Sequence, residues 1–348
     1  MRSKAILTAF SVATLLVSAS GVCRAQSLQG SGSSFAAPMM NKWARDYDKT
    51  KQVKINYTAV GSGAGIRQFI EKETDFGCTD APLTAEQMKK AQENGCEVVH
   101  IPVVLGGVVV AYNLEETKEP LRLTGGVLTE IFLGNIKKWD DAAIKELNAG
   151  VDLPARNITV VYRSDSSGST AIFTDYLAKV STSWSVGSGT KVKFPVGEGQ
   201  KGNEAMAAAI ASTPGAIGYV DLIHAMQKKI QHARIKNQEG NFVQGSLEGV
   251  TAAAEGALTD IANDLRFSLT NATGKSAYPI SGATWLVLAA KQPADRGQRL
   301  VDFVTWVTHD GQDSVTDLYY ARLPKGLVEK VEAKLKDLKV SRTGTLPD

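Results

Sequence analysis

Three strand-like stretches in this chain each run into a turn of glycine and hydroxyl residues, and each turn opens directly onto a helical pattern. In the first, residues 27–29 lead into Gly30-Ser-Gly-Ser-Ser-Phe-Ala-Ala-Pro38, and 39–49 carries Met39, Met40, Trp43, Ala44 and Tyr47 at helical spacing. In the second, residues 53–60 alternate like a strand and end in Gly61-Ser-Gly-Ala-Gly65, before a helical 66–72 with Ile66, Phe69 and Ile70 on one face. In the third, Ile158-Thr-Val-Val161 enters Tyr162-Arg-Ser-Asp-Ser-Ser-Gly-Ser-Thr170, and residues 171–178 continue as an amphipathic helix. Units of this kind predict an α/β architecture. A turn of small residues at a helix start leaves N–H groups uncovered at the positive end of the helix dipole, which describes an anion-binding turn. The third turn adds a fixed cation, Arg163, and a carboxylate, Asp165. Any one of these turns also reads as a serine-rich helix cap, beside a surface arginine in the third. A dinucleotide fingerprint does not fit, because its third glycine would fall at Ala64 or Ile66. A single oxyanion cradled by amides fits better.

The first residues predict an export signal. Arg2 and Lys4 precede an uncharged apolar run from Ala5 to Val22, and Cys23-Arg-Ala25 ends on a small residue, so cleavage is expected after Ala25. Lipidation at Cys23 is the alternative, which Val22 disfavours. The mature chain is expected to be exported and soluble, with no membrane insertion after cleavage. The full chain has 39 Lys+Arg against 36 Asp+Glu, and losing Arg2, Lys4 and Arg24 leaves 36 of each. That balance removes any argument for nucleic acid. About 320 residues remain, which predicts two α/β domains. Cys78 and Cys96 read as a disulfide in an oxidising compartment, contributing about 3 kcal/mol. Four scattered histidines with no close cysteine or histidine spacing predict no metal site.

Along the rest of the chain, Asp80 stands before Ala-Pro and reads as a turn or cap carboxylate, with a helix over 84–92 behind a threonine cap. The apolar run Val98–Tyr112 is too long for one ordinary strand and contains Gly106-Gly107. Two buried strands, or one strand running from one domain into another, account for it; we read a crossing near Leu105. Helices are expected over 128–134, 141–147, 204–211 and 222–230, and strands over 216–220 and 285–290. Residues 300–307, 314–320 and 328–338 read as closing helices. Catalysis finds little support. No nucleophile elbow sits at a strand-to-helix turn, Ser188-Gly-Thr-Lys191 lacks its partner motifs, and His100, His224, His232 and His309 have no evident carboxylate partner. The reading is a binding protein, not an enzyme, with no cofactor.

Taken in order, Gly30-Ser-Gly-Ser-Ser-Phe-Ala-Ala-Pro38, Gly61-Ser-Gly-Ala-Gly65, Asp75-Phe-Gly-Cys-Thr-Asp-Ala-Pro-Leu83, Leu133-Gly-Asn-Ile-Lys-Lys-Trp-Asp140 and Arg163-Ser-Asp-Ser-Ser-Gly-Ser169 resemble the periplasmic phosphate-binding proteins of bacterial phosphate ABC importers. The likeness spans essentially all of the mature chain. It implies two doubly wound α/β lobes joined by a hinge, the type II periplasmic binding fold, with phosphate in the cleft between them. Lobe I would comprise 26–104 and 281–348, and lobe II 105–280. The implied ligand set is Ser34, Phe35, Ser62, Asp80, Arg163, Ser167, Gly168 and Ser169. Ser34 and Ser169 stand where threonine is common in the family, Ala36 replaces a frequent proline, and Ser166 a frequent glycine. In this assignment Arg163 grips the anion bidentately and Asp165 holds its guanidinium in place. Asp80 accepts the proton that phosphate keeps and sulfate lacks. Cys78 lies close to Asp80, which weakens the Cys78–Cys96 bridge. The expected partners are inorganic phosphate and an inner-membrane ABC permease, and the chain is expected to be a monomer. A receptor for sulfate or molybdate, and a serine-dependent hydrolase, are the competing readings.

Overall fold

The computed structural model describes residues 27–257 and 261–341. The export signal, with its cleavage site and Cys23, lies outside the described residues. One strand, Val98–Tyr112, runs through the middle of the molecule with every residue buried. Its valine-rich run suits a strand covered on both faces. Its first part pairs antiparallel with Ser281–Ala289, from Val98 opposite Ala289 to Gly107 opposite Ser281. From Val108 onward it pairs instead with Ala216–Asp221. The changeover therefore lies between Gly107 and Val108, and there the Val108 N–H donates to the Ile280 carbonyl at 2.9 Å.

An α/β lobe is built outward from each part of this strand. On one side the order continues from Ser281–Ala289 through Phe76–Thr79 and Leu28–Gly32 to Ile55–Ala59, the last three parallel. On the other it continues from Ala216–Asp221 through Thr159–Arg163 to Glu198–Gln200, again parallel. Helices cover the faces. Ala37–Lys51 buries Met39, Met40, Trp43 and Tyr47, with Pro38 in its first turn, where a missing N–H costs nothing. Gly168–Val180 buries Ile172, Phe173, Tyr176 and Leu177. Among the described residues no helix is long and apolar enough to cross a membrane.

Three readings change. Residues 314–320 are not an α-helix: two short 3₁₀ turns, Asp310–Ser314 and Thr316–Leu318, occupy this region, and Tyr319 ends them at φ 60. The helix Leu247–Ala257 escaped the periodicity, because its buried face is largely Ala and Gly. Cys78 and Cys96 are both free. Cys78 packs into the main core from the strand Phe76–Thr79, whereas Cys96 joins a separate cluster with Ile66, Phe69, Ile70 and Val98. Burial pushes both thiols above their ordinary range, so neither is primed for oxidation. Thermal melts of the mature chain with and without dithiothreitol are expected to coincide. A fall of several degrees on reduction would reinstate the bridge.

Candidate functional site

In open α/β sheets, side chains that meet a ligand stand beyond the carboxyl ends of the parallel strands. Here Leu28–Gly32 delivers Ser33 and Ser34, Ile55–Ala59 delivers Ser62, Phe76–Thr79 delivers Asp80, Thr159–Arg163 ends on Arg163, and Glu198–Gln200 delivers Asn203. Asp80 is 4 % exposed. Its carboxylate accepts from Ser33 Oγ at 2.7 and 2.6 Å, from Thr284 Oγ1 at 2.7 Å and from Ser62 Oγ at 3.2 Å. Its N–H donates to Ser62 Oγ at 3.2 Å. Burial pushes the Asp80 carboxyl up to about 6; the hydroxyl donors pull against that rise, and the charge of Asp221 adds a little to it.

The opposite charge comes from the other lobe. Arg163 is 3 % exposed. Its Nε and Nη2 donate to Asp165 Oδ1 and Oδ2 at 2.7 and 2.6 Å, a bidentate fork. Burial alone would raise the Asp165 carboxyl, but the bonds and charge of Arg163, with the Gly202 N–H at 3.3 Å, hold it below its ordinary range. Arg163 Nη1 is buried and has no hydrogen-bond partner among the described residues. It is a donor still to be satisfied.

The helix Gly168–Val180 starts beside both charges. Ser167 caps it, with its Oγ accepting from the Thr170 N–H at 3.2 Å. The Ser167 N–H is engaged by the Thr190 carbonyl at 2.7 Å, so the amides this turn can offer begin at Gly168. A methyl group added to Gly168 would lie 2.3 Å from Asp80 Oδ2 and 2.5 Å from Ser62 Oγ, so the turn of one lobe touches the acidic loop of the other. Ser169 and Ser34 meet through Asn203, whose Nδ2 donates to them at 3.1 and 3.3 Å. Phe35 takes a different place from the others. Its ring packs edge-on against Tyr320 at 5.7 Å, and its carbonyl accepts from the Tyr320 hydroxyl.

A sequence model of the PBP superfamily domain matches residues 17–310. The phosphate-binding protein PstS of Xylella fastidiosa strain Temecula1 is 43% identical over 312 residues, covering 88% of this chain and 84% of that protein. The one from Pasteurella multocida is 40% identical over 341 residues, covering 97% and 96%. The chain belongs to the phosphate-binding protein PstS family. Among solved structures, the high affinity periplasmic phosphate-binding protein PfluDING aligns with a TM-score of 0.70 at 22% identity, covering 88% of this chain and 93% of that one. A phosphate binding protein from Stenotrophomonas maltophilia aligns at 0.66 and 19%, covering 88% and 93%. Both likenesses are in the fold, a two-lobe α/β architecture.

Against this PstS-family frame, three positions went unassigned in the sequence. Ser33 donates its hydroxyl to Asp80 and stands beside the expected ligand residue Ser34. Thr284 comes from the returning strand Ser281–Ala289, more than two hundred residues from Asp80, and no local pattern marks it. Asn203 closes the glycine-rich stretch 197–203, where no local pattern marks it. Among the described residues no group of His, Cys, Asp and Glu could hold a metal ion.

The raised Asp80 has a sign that can be tested. The folded chain holds this proton more tightly than the unfolded chain, so the stabilising contribution is complete below about pH 4 and is lost as pH rises towards 6. A shift of about two units corresponds to about 3 kcal/mol. In ligand-free protein, the stability of Asp80→Asn relative to wild type should therefore rise by about 2–3 kcal/mol between pH 4 and pH 7.5. Denaturant melts at the two pH values check this, and an unchanged difference would contradict it.

Proposed function

We propose that this chain binds inorganic phosphate in the cleft between its lobes, in the periplasm, and delivers it as a monomer to an inner-membrane phosphate ABC importer. The observations that carry the reading are a buried, unsatisfied donor, Arg163 Nη1, and a buried carboxylate acceptor, Asp80, each standing at the carboxyl end of a parallel strand of its own lobe. Arg163, already paired with Asp165, offers the anion its remaining N–H. Gly168 and Ser169 offer amides at a helix start, and Ser34, Ser62, Ser167 and Ser169 offer hydroxyls. The Phe35 amide completes the set. Family membership supports the assignment. We place lobe I at residues 26–107 and 281–348 and lobe II at 108–280, which moves the first boundary three residues from 104/105 to the changeover in strand pairing.

Asp80 decides between oxyanions. Monobasic and dibasic phosphate carry a hydroxyl that donates to the carboxylate. Sulfate at neutral pH has none and meets lone pairs and repulsion instead, a penalty built into the site. Hydrolysis by one of the serines is disfavoured, because among the described residues no histidine hydrogen-bonds to Ser33, Ser34, Ser62, Ser167 or Ser169. Ser33 and Ser62 bond to Asp80, and Ser167 caps its own helix. The histidines are engaged elsewhere: His100 with the Leu83 N–H, His224 with Asp221, His232 with Gln244 and His309 with Glu332.

Titration calorimetry of the mature chain is expected to show tight 1:1 phosphate binding and far weaker sulfate binding at pH 8. Equal affinity for the two anions would sink the phosphate reading. Within the site, Arg163→Ala removes a buried, charge-assisted donor and is expected to weaken phosphate binding about a hundredfold or more. Ser169→Ala removes one neutral donor and should cost about tenfold. Comparable losses in the two variants would mean that the anion lies elsewhere.

A further inference from the structure

Asn203 opens the helix Gly202–Ser212 and is fully buried. Its Nδ2 donates to Ser169 Oγ at 3.1 Å, in the first turn of Gly168–Val180, and to Ser34 Oγ at 3.3 Å, in the loop after Leu28–Gly32. One amide nitrogen thus joins the two lobes through two serines. Its chemistry gives the contact a direction. A side-chain NH₂ has two N–H donors and no lone pair to accept with, so each serine oxygen it meets is an acceptor in that bond. A hydroxyl that accepts from Asn203 has its own hydrogen left to point somewhere else. Ser169 Oγ also approaches Asn203 Oδ1, at 3.4 Å; this is the longer contact and the one released when that hydroxyl turns to another acceptor. The preceding residue braces the same corner, because the Gly202 N–H donates to Asp165 Oδ1 at 3.3 Å, and Asp165 holds Arg163.

We propose that Asn203 is a positioning residue for anion recognition: by donating to both oxygens it presents the Ser34 and Ser169 hydroxyls as donors and ties the lobes together without touching the ligand. The inference rests on the phosphate reading of the cleft. It makes two demands. The effects of Asn203 and Ser169 cannot be independent, because one acts through the other. A carboxylate at position 203 must be worse than a methyl, since it accepts the serine hydrogens that the anion needs and adds a negative charge.

Phosphate calorimetry and stopped-flow release on the mature chain test this, with wild type, Asn203→Ala, Asn203→Asp, Ser169→Ala and the double variant N203A/S169A, and with ligand-free melting temperatures recorded for each. Expected are a loss of about tenfold or more for Asn203→Ala, appearing mainly as faster release, and a larger loss for Asn203→Asp. The double variant should bind within about threefold of the weaker single variant. If Asn203→Ala melts far below wild type, the near-isosteric Asn203→Asp carries the comparison. Wild-type affinity in both Asn203 variants, or fully additive losses in the double variant, would overturn the positioning role while leaving phosphate binding intact. Absence of phosphate binding in wild type would instead remove the functional reading and this inference with it.

Discussion

A buried arginine and a buried aspartate set the terms for the rest of this molecule. Arg163 and Asp80 are 3 % and 4 % exposed, and an unpaired charge at such depth costs several kcal/mol. Each is stabilised differently. Arg163 has a full counter-charge in Asp165, whereas Asp80 has only neutral hydroxyls from Ser33, Ser62 and Thr284. With all three groups ionised, their charges sum to one negative charge. An anion can therefore not be drawn in by net attraction among them. In the proposed site it is held by oriented N–H and O–H dipoles and by the remaining N–H of Arg163, beside a carboxylate that disfavours anions lacking a proton. On that proposal, discrimination follows from the charge arrangement itself.

Such an arrangement needs groups from widely separated parts of the chain, and the sheet topology supplies them. The strand Val98–Tyr112 is shared: one part belongs to the sheet that carries Ser33, Ser62 and Asp80, the other to the sheet that carries Arg163 and Asn203. The Ser281–Ala289 strand returns beside its first part and brings Thr284 to Asp80. Two strands thus carry the connection between lobes and help to define the site. Burial explains why Val98–Tyr112 is apolar except at His100. It must satisfy two cores in succession.

Much of this was legible in the sequence, and the reasons for the remainder are physical. The strand, turn and helix units are local, so periodicity and turn chemistry revealed them. The bidentate bond between Arg163 and Asp165 spans two residues and could be anticipated from spacing. Thr284 and Asn203 could not. A threonine inside a buried strand and an asparagine after glycines are unremarkable in sequence, and their roles exist only once two distant segments touch. The cysteines misled for the same reason in reverse. An even pair in an oxidising compartment argued for a bridge, but Cys78 and Cys96 pack into different clusters.

The glycines of the second turn serve a purpose that the sequence pattern did not suggest. Gly61-Ser-Gly-Ala-Gly65 suggested a loop whose bare backbone wraps an anion. In the structure Ser62 to Gly65 are already the first turn of the helix Ser62–Ile70, and the glycines serve close approach of other parts of the protein. A Cβ on Gly65 would lie 2.3 Å from the Gly32 Cα, so this glycine lets the helix sit against its own lobe's strand. A Cβ on Gly63 would meet Ser166 Oγ of the opposite lobe at 1.9 Å, and the Gly63 N–H donates to the Ser166 carbonyl at 3.1 Å. Of this turn's residues, Ser62 is the one whose side chain faces the acid. The small residues around it let two backbones come near enough for Asp80, Ser62 and Gly168 to share one enclosed space. The proposed anion site and the lobe contact therefore draw on the same few positions, and a bulky residue at any of them would disturb both together.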